Sequence, residues 1–420
     1  MDETDLVTSY EDCIPQVVAC AAIASRSLAP PSPLAPWRPS LFRSFLMGGF
    51  ESSSHRRADD GQQLDLIAAT RHDEQALDDY RLLAACNLGT VRDALRWHLI
   101  EAEPGRYDWS SFLPTLRAAR QAGVQVIWDL CHYGLPHGVD IWSREFLDRF
   151  AEFCAAVAWI VRAETDGEVP FYCPVNEINF WAWGGGDHAR MYPYASGRGP
   201  ELKRQLARAA IVAIEAVRSV EPRARFVKAE PLIHVTTPPE APWHDVAGAA
   251  EHREAQFEAF DMIAGRLAPE LGGSEAHLDI IGLNFYPDNQ LFRAGDTIPL
   301  GHWLYRPLGR LLEDVYARYG NRPILLTETG AEGANGAGWL RYIGGEVRAA
   351  LRAGVPVEGI CIYPVMDYPG WSDGRHCRCG LIRAERDWSE RAINKDLLDQ
   401  LGEERMLLSS LMTGLAGTRS

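Results

Sequence analysis

From residue 45 onward the apolar and polar positions of the chain follow two alternating periods. Short runs of β-branched, aliphatic or aromatic residues are each followed by a loop and then by a stretch with apolar residues every three or four positions. The short runs read as strands: LMGGFES (46–52), LGTVRDALRW (88–97), VQVIWDLCH (124–132), PFYCPVNEIN (170–179), ARFVKAE (224–230), LDIIGLNFY (278–286), PILLTETG (323–330) and VEGICIYPV (357–365). The stretches between them read as amphipathic helices. DEQALDDYRLLAAC (73–86) sets Leu77, Tyr80 and Leu83 on one stripe, with acids in its first turn. SREFLDRFAEFCAAVAWIVRA (143–163) opens on Ser143 as an N-cap, and GWLRYIGGEVRAALRAG (338–354) closes on a glycine.

Strand then helix, eight times over, predicts an α/β protein built as a (β/α)8 TIM barrel. A doubly wound open sheet would carry a glycine-rich phosphate turn after its first strand, whereas this chain has SSSHRRADDG there. No repeat of solenoid length is present. The expected organisation is one catalytic barrel over residues 44–405, after a loosely ordered N-terminal arm over 1–43 rich in Pro and Ser (SLAPPSPLAPWRPS), and before a C-terminal tail over 406–420.

Composition narrows the function. The 420 residues are 46% hydrophobic and 24% charged, which is ordinary for a globular chain with a large core. A net charge of −15 argues against nucleic-acid partners and gives no support to an anionic membrane surface. The start, MDETDLVTSYEDC, is acidic where a secretory signal is basic, and VVACAAIAS is too short to span a bilayer. Nine scattered cysteines fit a reducing compartment, so a cytoplasmic location is expected. Cys377 and Cys379 beside His376 lack zinc-ribbon spacing, and no metal or cofactor is expected. H-E-x-x-H and paired C-x-x-C are absent, and GAEGANGAG (330–338), though placed between strand and helix, lacks the lysine of a phosphate loop.

The interior of such a barrel is aliphatic, so polar residues at strand C-termini need a reason, and those ends form the active-site face. They supply Glu51 and His55, Arg92 and Arg96, His132, Asn176 and Glu177, Asn284 and Tyr286, Glu328, and Asp367 with Trp371 beyond it. Glu177 and Glu328, on the fourth and seventh runs, face each other across such a barrel. Cleavage of a glycosidic bond needs such a pair, one carboxylic acid to protonate the departing oxygen and one carboxylate to attack the anomeric carbon. Arg92 is the candidate for keeping one of them ionised. Aromatic residues around Glu177, in CPVNEINFWAW (173–183), suit the flat C–H faces of sugar rings.

Eight segments in order resemble clan A glycoside hydrolases, and specifically a divergent, shortened relative of the family 1 β-glycosidases, over about residues 45–385. FLMGGFESSSHR resembles the opening strand, VRDALRW resembles R-F-S-I-S-W, LCHYGLP resembles L-H-H-W-D-L-P and YCPVNEI resembles W-x-T-F-N-E-P. LNFY resembles L-N-Y-Y, LTETG resembles the T-E-N-G segment, YPVMDYPGW resembles W-S-L-L-D-N-F-E-W, and CGLI resembles the R-F-G-L that follows. The resemblance implies Glu177 as general acid/base and Glu328 as nucleophile. It further implies Asn176 on the sugar's 2-hydroxyl, Arg92 and Tyr286 on the nucleophile, and His132 in the first sugar subsite. It also implies a retaining mechanism, with the two carboxylates about 5 Å apart.

The chain departs from the family in the sugar-binding positions. His55 stands for a Gln, Gly370 for a sugar-binding Glu, Tyr133 for a Trp, Thr329 for an Asn and Tyr363 for a Trp, while Glu51 is an added acid. The expectation is an intact catalytic pair with a rebuilt glycone subsite formed by Glu51, His55, Tyr363 and Trp371, in which Glu51, His55 and Arg56 select an unusual, charged or deoxy sugar. The expected partner is a small saccharide or glycoside. Alternatives are a transglycosidase using an acceptor other than water and a catalytically silent carbohydrate-binding barrel.

Overall fold

The computed structural model describes residues 41–385 and 387–417. The eight expected strands are all present, as β1 (Leu46–Gly49), β2 (Thr90–Ala94), β3 (Gln125–Asp129), β4 (Phe171–Cys173), β5 (Arg225–Pro231), β6 (Ile280–Asn284), β7 (Ile324–Thr329) and β8 (Val357–Ile362). Each pairs in parallel with its neighbours in the chain, and β8 closes on β1, so the sheet is a closed barrel. Around it run α1 (His72–Ala85), α2 (Leu113–Ala122), α3 (Arg144–Glu164), α4 (Gly199–Val220), α5 (Glu258–Ile263), α6 (Leu308–Tyr319), α7 (Asn335–Arg352) and α8 (Lys395–Gly417). The fold is a (β/α)8 barrel.

The strands are shorter than the apolar runs suggest, and the residues cut off are those carrying candidate chemistry. Glu51, His132, Asn176 and Glu177 all lie past the last ladder residue of their strands. Arg92 and Glu328, by contrast, lie within the ladders of β2 and β7.

Inside the barrel, strand alternation stacks Met47, Ile127, Phe171, Val227, Ile280, Leu325 and Cys361 into a closed apolar floor. Phe42 seals that floor from below, its ring 4.9 Å from Phe171. Of the arm expected over 1–43, residues 1–40 lie outside the described residues, while Phe42 belongs to the barrel. The larger core lies between strands and helices, where Trp97 stacks on Phe153 at 5.2 Å and Trp128 meets Phe112 edge-on at 5.0 Å. Ser143 caps α3 as expected, accepting from the Phe146 amide at 3.1 Å. Residues 406–417, expected as tail, continue α8. Among the described residues no helix is long and apolar enough to cross a membrane.

One expected stripe is more polar than its spacing suggests. α1 buries Tyr80 and Leu83, but also His72 and Asp79, while Leu77 is only half-buried. The His72 ring bridges Asp79 (2.8 Å) and Asp93 of β2 (2.9 Å); Tyr80 donates to Asp93 at 2.5 Å, and Arg391 donates to Asp79 at 2.7 Å. This network ties the outer face of β2 to α1 and to the hairpin of Ile382–Ala384 with Arg391–Ile393.

Candidate active site

At the C-terminal mouth of the barrel lies a cavity of about 850 Å³ whose wall includes Glu51, His132, Asn176, Glu177, Tyr286, Glu328, Tyr363 and Trp371. Glu328 owes its direction to a β-bulge. Leu283 of β6 pairs with Leu326 of β7, but the next residue, Asn284, pairs with Glu328, so Thr327 is an extra residue. Leu325 points into the barrel. Strict alternation would therefore send Glu328 outward, and the one-residue bulge turns it into the cavity. The Thr327 hydroxyl secures the bulge by donating to Asn284 Oδ1 at 2.6 Å.

Glu328 is held by two donors. Arg92 Nη1 reaches Oε1 at 2.6 Å and the Tyr286 hydroxyl reaches Oε2 at 2.9 Å. Arg92 is fully buried, its guanidinium also gripping Asp129 through Nε (2.9 Å) and Nη2 (2.7 Å) and donating to Asn176 Oδ1 at 2.7 Å. Burial acts against ionisation of Asp129, but Arg92 and His132 outweigh it and hold its carboxyl below the usual range.

Glu177 sits on a different support. Its backbone takes φ 44°, a left-handed conformation uncommon for a residue with a side chain. β5 holds the turn: Glu177 N donates to Ala229 O at 3.0 Å, and buried Glu230 accepts from the amides of Ile178 (2.8 Å) and Asn179 (2.9 Å). Lys228 ties the two together, its ammonium 2.6 Å from Glu230 and donating to Val175 O at 2.9 Å. The Glu177 carboxylate itself accepts from Tyr133 (2.5 Å) and Asn284 (2.8 Å). Burial, and then the charge of Glu328, push it up to about 7 against those two hydrogen bonds.

Asn176 is oriented from three sides. Arg92 fixes its oxygen, so its amide nitrogen faces His132 Nε2 (3.0 Å) and the Tyr133 hydroxyl (3.0 Å). His132 Nδ1 then donates to Asp129 Oδ2 at 2.8 Å. Both ring nitrogens of His132 are engaged within the protein, so it orients Asn176 as well as lining the cavity.

Other expected residues fall elsewhere. His55 is buried behind the cavity wall, its ring 4.9 Å from Trp371 and 6.3 Å from Tyr133, and Arg56 bonds Gln63 at 3.2 Å. Of that segment Glu51 bounds the cavity, while Ser52, Ser53, Ser54 and His55 are buried beside it. Burial, with the nearby His132 and Arg57, lowers His55 to about 4. Arg96 pairs with Asp65 and Asp73, and Asp367 accepts from Gly380 N and Arg383, so both brace loops away from the cavity. Thr329 faces outward to Trp339, whose indole donates to it at 2.9 Å. Of the aromatic run after Glu177, Phe180 and Trp183 line the cavity, whereas Trp181 is core. Gly330 passes close under Tyr363: a Cβ there would lie 2.5 Å from the Tyr363 carbonyl oxygen, so the loop after β7 needs glycine to turn away.

Several contributors escaped sequence reasoning, Lys228 among them. Asp129 closes β3 and Glu230 stands one residue before the end of β5, where nothing in the local pattern marks them, and Tyr133 read only as an aromatic replacement. A second concavity, about 480 Å³, lies at the opposite end of the barrel. Its arginines are committed: Arg225 to Asp279, Arg223 to Glu221, Arg322 to Glu275 and Arg218 to Ala276 O.

Fold and site together define a class: an α/β barrel with two differently supported glutamates on one crater, at the ends of its fourth and seventh strands. The particular likeness is to β-glucosidases. The chain superposes on the family 1 β-glucosidase of Thermotoga maritima with a TM-score of 0.72 at 15% identity, covering 89% of this chain and 99% of that one. The same enzyme in complex with glucoimidazole gives 0.71 at 16% identity, again over 89% and 99%. The AHE enzyme of Alicyclobacillus herbarius gives 0.69 at 18% identity over 86% and 99%. At these identities the likeness is one of fold. No protein-family model and no curated protein matches the sequence.

Proposed function

We propose that the protein is a retaining β-glycosidase in which Glu328 is the nucleophile and Glu177 the general acid/base. The observation that carries this reading is the unequal support of two carboxylates on one cavity. Glu328 is gripped by Arg92 and Tyr286, as an attacking carboxylate requires, while Glu177 is pushed up to about 7 and so keeps a proton to donate.

In the first step a Glu328 oxygen bonds to the anomeric carbon while the carbon–oxygen bond to the aglycone breaks, and the Glu177 proton goes to the departing oxygen. In the second, water gives a proton to Glu177, its oxygen bonds to the anomeric carbon, and Glu328 leaves as carboxylate. Phe180, Trp183 and Trp371 offer ring faces to the sugar and aglycone.

The test is incubation with an activated fluorinated aryl β-glycoside, followed by peptide mapping. The label is expected on the peptide holding LLTETG, at Glu328. A label on another residue, or none alongside turnover of the parent glycoside, would sink the assignment. Glu328→Gln is expected to lower kcat by about 1,000-fold or more at unchanged thermal stability.

A further inference from the structure

The five acidic residues on the cavity wall differ in how they are satisfied. Glu328 has Arg92 and Tyr286, Glu177 has Tyr133 and Asn284, and Asp187 accepts from the Gly199 amide at 2.7 Å. Asp288 is exposed to solvent. Glu51 is 8% exposed, accepts only the Ser53 amide at 3.0 Å on Oε1, and makes no ion pair with any described residue.

Resting on the glycosidase reading above, we propose that Glu51 sets the specificity of the glycone pocket and that the sugar it selects carries a protonated amino group. A carboxyl group withdrawn from water without a cation is unfavourable. A sugar hydroxyl would be met as well by a neutral amide, which carries no such cost on burial. A carboxylate is the better choice where the ligand brings the missing positive charge, because the pair then satisfies both groups.

The rest of the wall agrees. Its one Lys or Arg is Lys203, and that ammonium is taken by Glu258 at 2.6 Å. An anionic glycone, such as a uronic acid or a phosphorylated sugar, would meet Glu51 and Glu328 with no free cation to receive it. Glu51 also shares its part of the wall with a hydroxyl group fitted to hold a sugar. Tyr363 accepts the Ser52 amide at 3.2 Å and so keeps its own proton to donate. Burial pushes the Glu51 carboxyl up, against the pull of His132 and the Ser53 amide.

The experiment is calorimetric titration of the full chain with glucose and galactose, and with their amino-deoxy analogues bearing the amine at each carbon in turn. At least one amino analogue is expected to bind about tenfold tighter than its parent, and Glu51→Gln is expected to remove that advantage. If no analogue binds tighter than its parent, or if the advantage survives Glu51→Gln in a variant of unchanged melting temperature, the proposal is overturned. The wild-type comparison stands even if the variant does not fold. Parallel assays with the matching aryl β-glycosides separate the two readings. An amino preference in binding without any turnover counts against the glycosidase and not against Glu51. Turnover of neutral glycosides without an amino preference counts against Glu51 alone.

Discussion

Glu177 titrates in the range where the chemistry would operate, and its neighbours set where. Burial and the Glu328 charge raise it to about 7, while hydrogen bonds from Tyr133 and Asn284 favour its ionised form. In its proposed role as proton donor it must be protonated, so kcat/KM is expected to fall on the alkaline side with an apparent pKa near 7. Tyr133→Phe removes one donor to the carboxylate, so that limb should move to higher pH, by about one pH unit. An alkaline limb that stays in place, or moves down, would show that Tyr133 does not tune Glu177. Glu230 is a positioning residue: it touches the backbone after Glu177, and its charge is among those raising Glu177. Glu230→Gln should lower kcat about 10- to 100-fold with little change in KM, and shift the same limb to lower pH. A loss of stability alone, with an unmoved profile, would make it a purely structural residue.

Among the elements, the link between β2, α1 and the 382–393 hairpin has its own pH dependence. Burial works against protonation of His72, but the Asp93 and Asp79 carboxylates outweigh it and raise the imidazole from 6.5 to about 9. A group whose pKa rises on folding stabilises the folded state fully below its unfolded pKa and ceases to do so above the folded one. Thermal or urea unfolding should therefore lose on the order of 3 kcal/mol between pH 6.5 and 9 from this group. His72→Phe should be less stable at pH 6, because Asp79 and Asp93 lose their shared partner, and its stability should no longer fall across that range through this group. Unfolding curves of wild type and variant that run parallel from pH 6 to 9 would contradict the assignment.

At the scale of the whole molecule, the barrel is closed at one end by apolar side chains and open at the other as a polar crater. Phe42 belongs to the closed end, packed on Phe171 beneath the ring of inward residues. Phe42→Ala should cost about 3 kcal/mol of unfolding free energy. The candidate active site lies at the far end, so kcat/KM at a temperature well below unfolding should not change. A large loss of activity in the stable variant would mean that the two ends are coupled through the barrel interior.

All eight strands were readable along the chain, because each is a short apolar run bounded by turn residues, and so was the (β/α)8 closure. The pair Glu177 and Glu328 was readable too, since polar residues at the ends of apolar runs conflict with a buried sheet unless they face a crater. Residues whose role depends on distant partners were not readable. Asp129 has meaning only beside Arg92, thirty-seven positions away, and Glu230 only beneath the amides of residues fifty-two and fifty-one earlier. His55 was expected in the sugar site because it stands where the family has a Gln, yet its ring is buried against Trp371 and Tyr133, a packing that only the folded barrel reveals. Periodicity and composition act locally, so the sequence by itself determined the strands, the helices and the barrel they close. Which side chains meet in the crater, how the bulge at Thr327 turns Glu328 inward, and which donors hold each carboxylate are sums over contacts between remote segments, and those exist only once the barrel has formed.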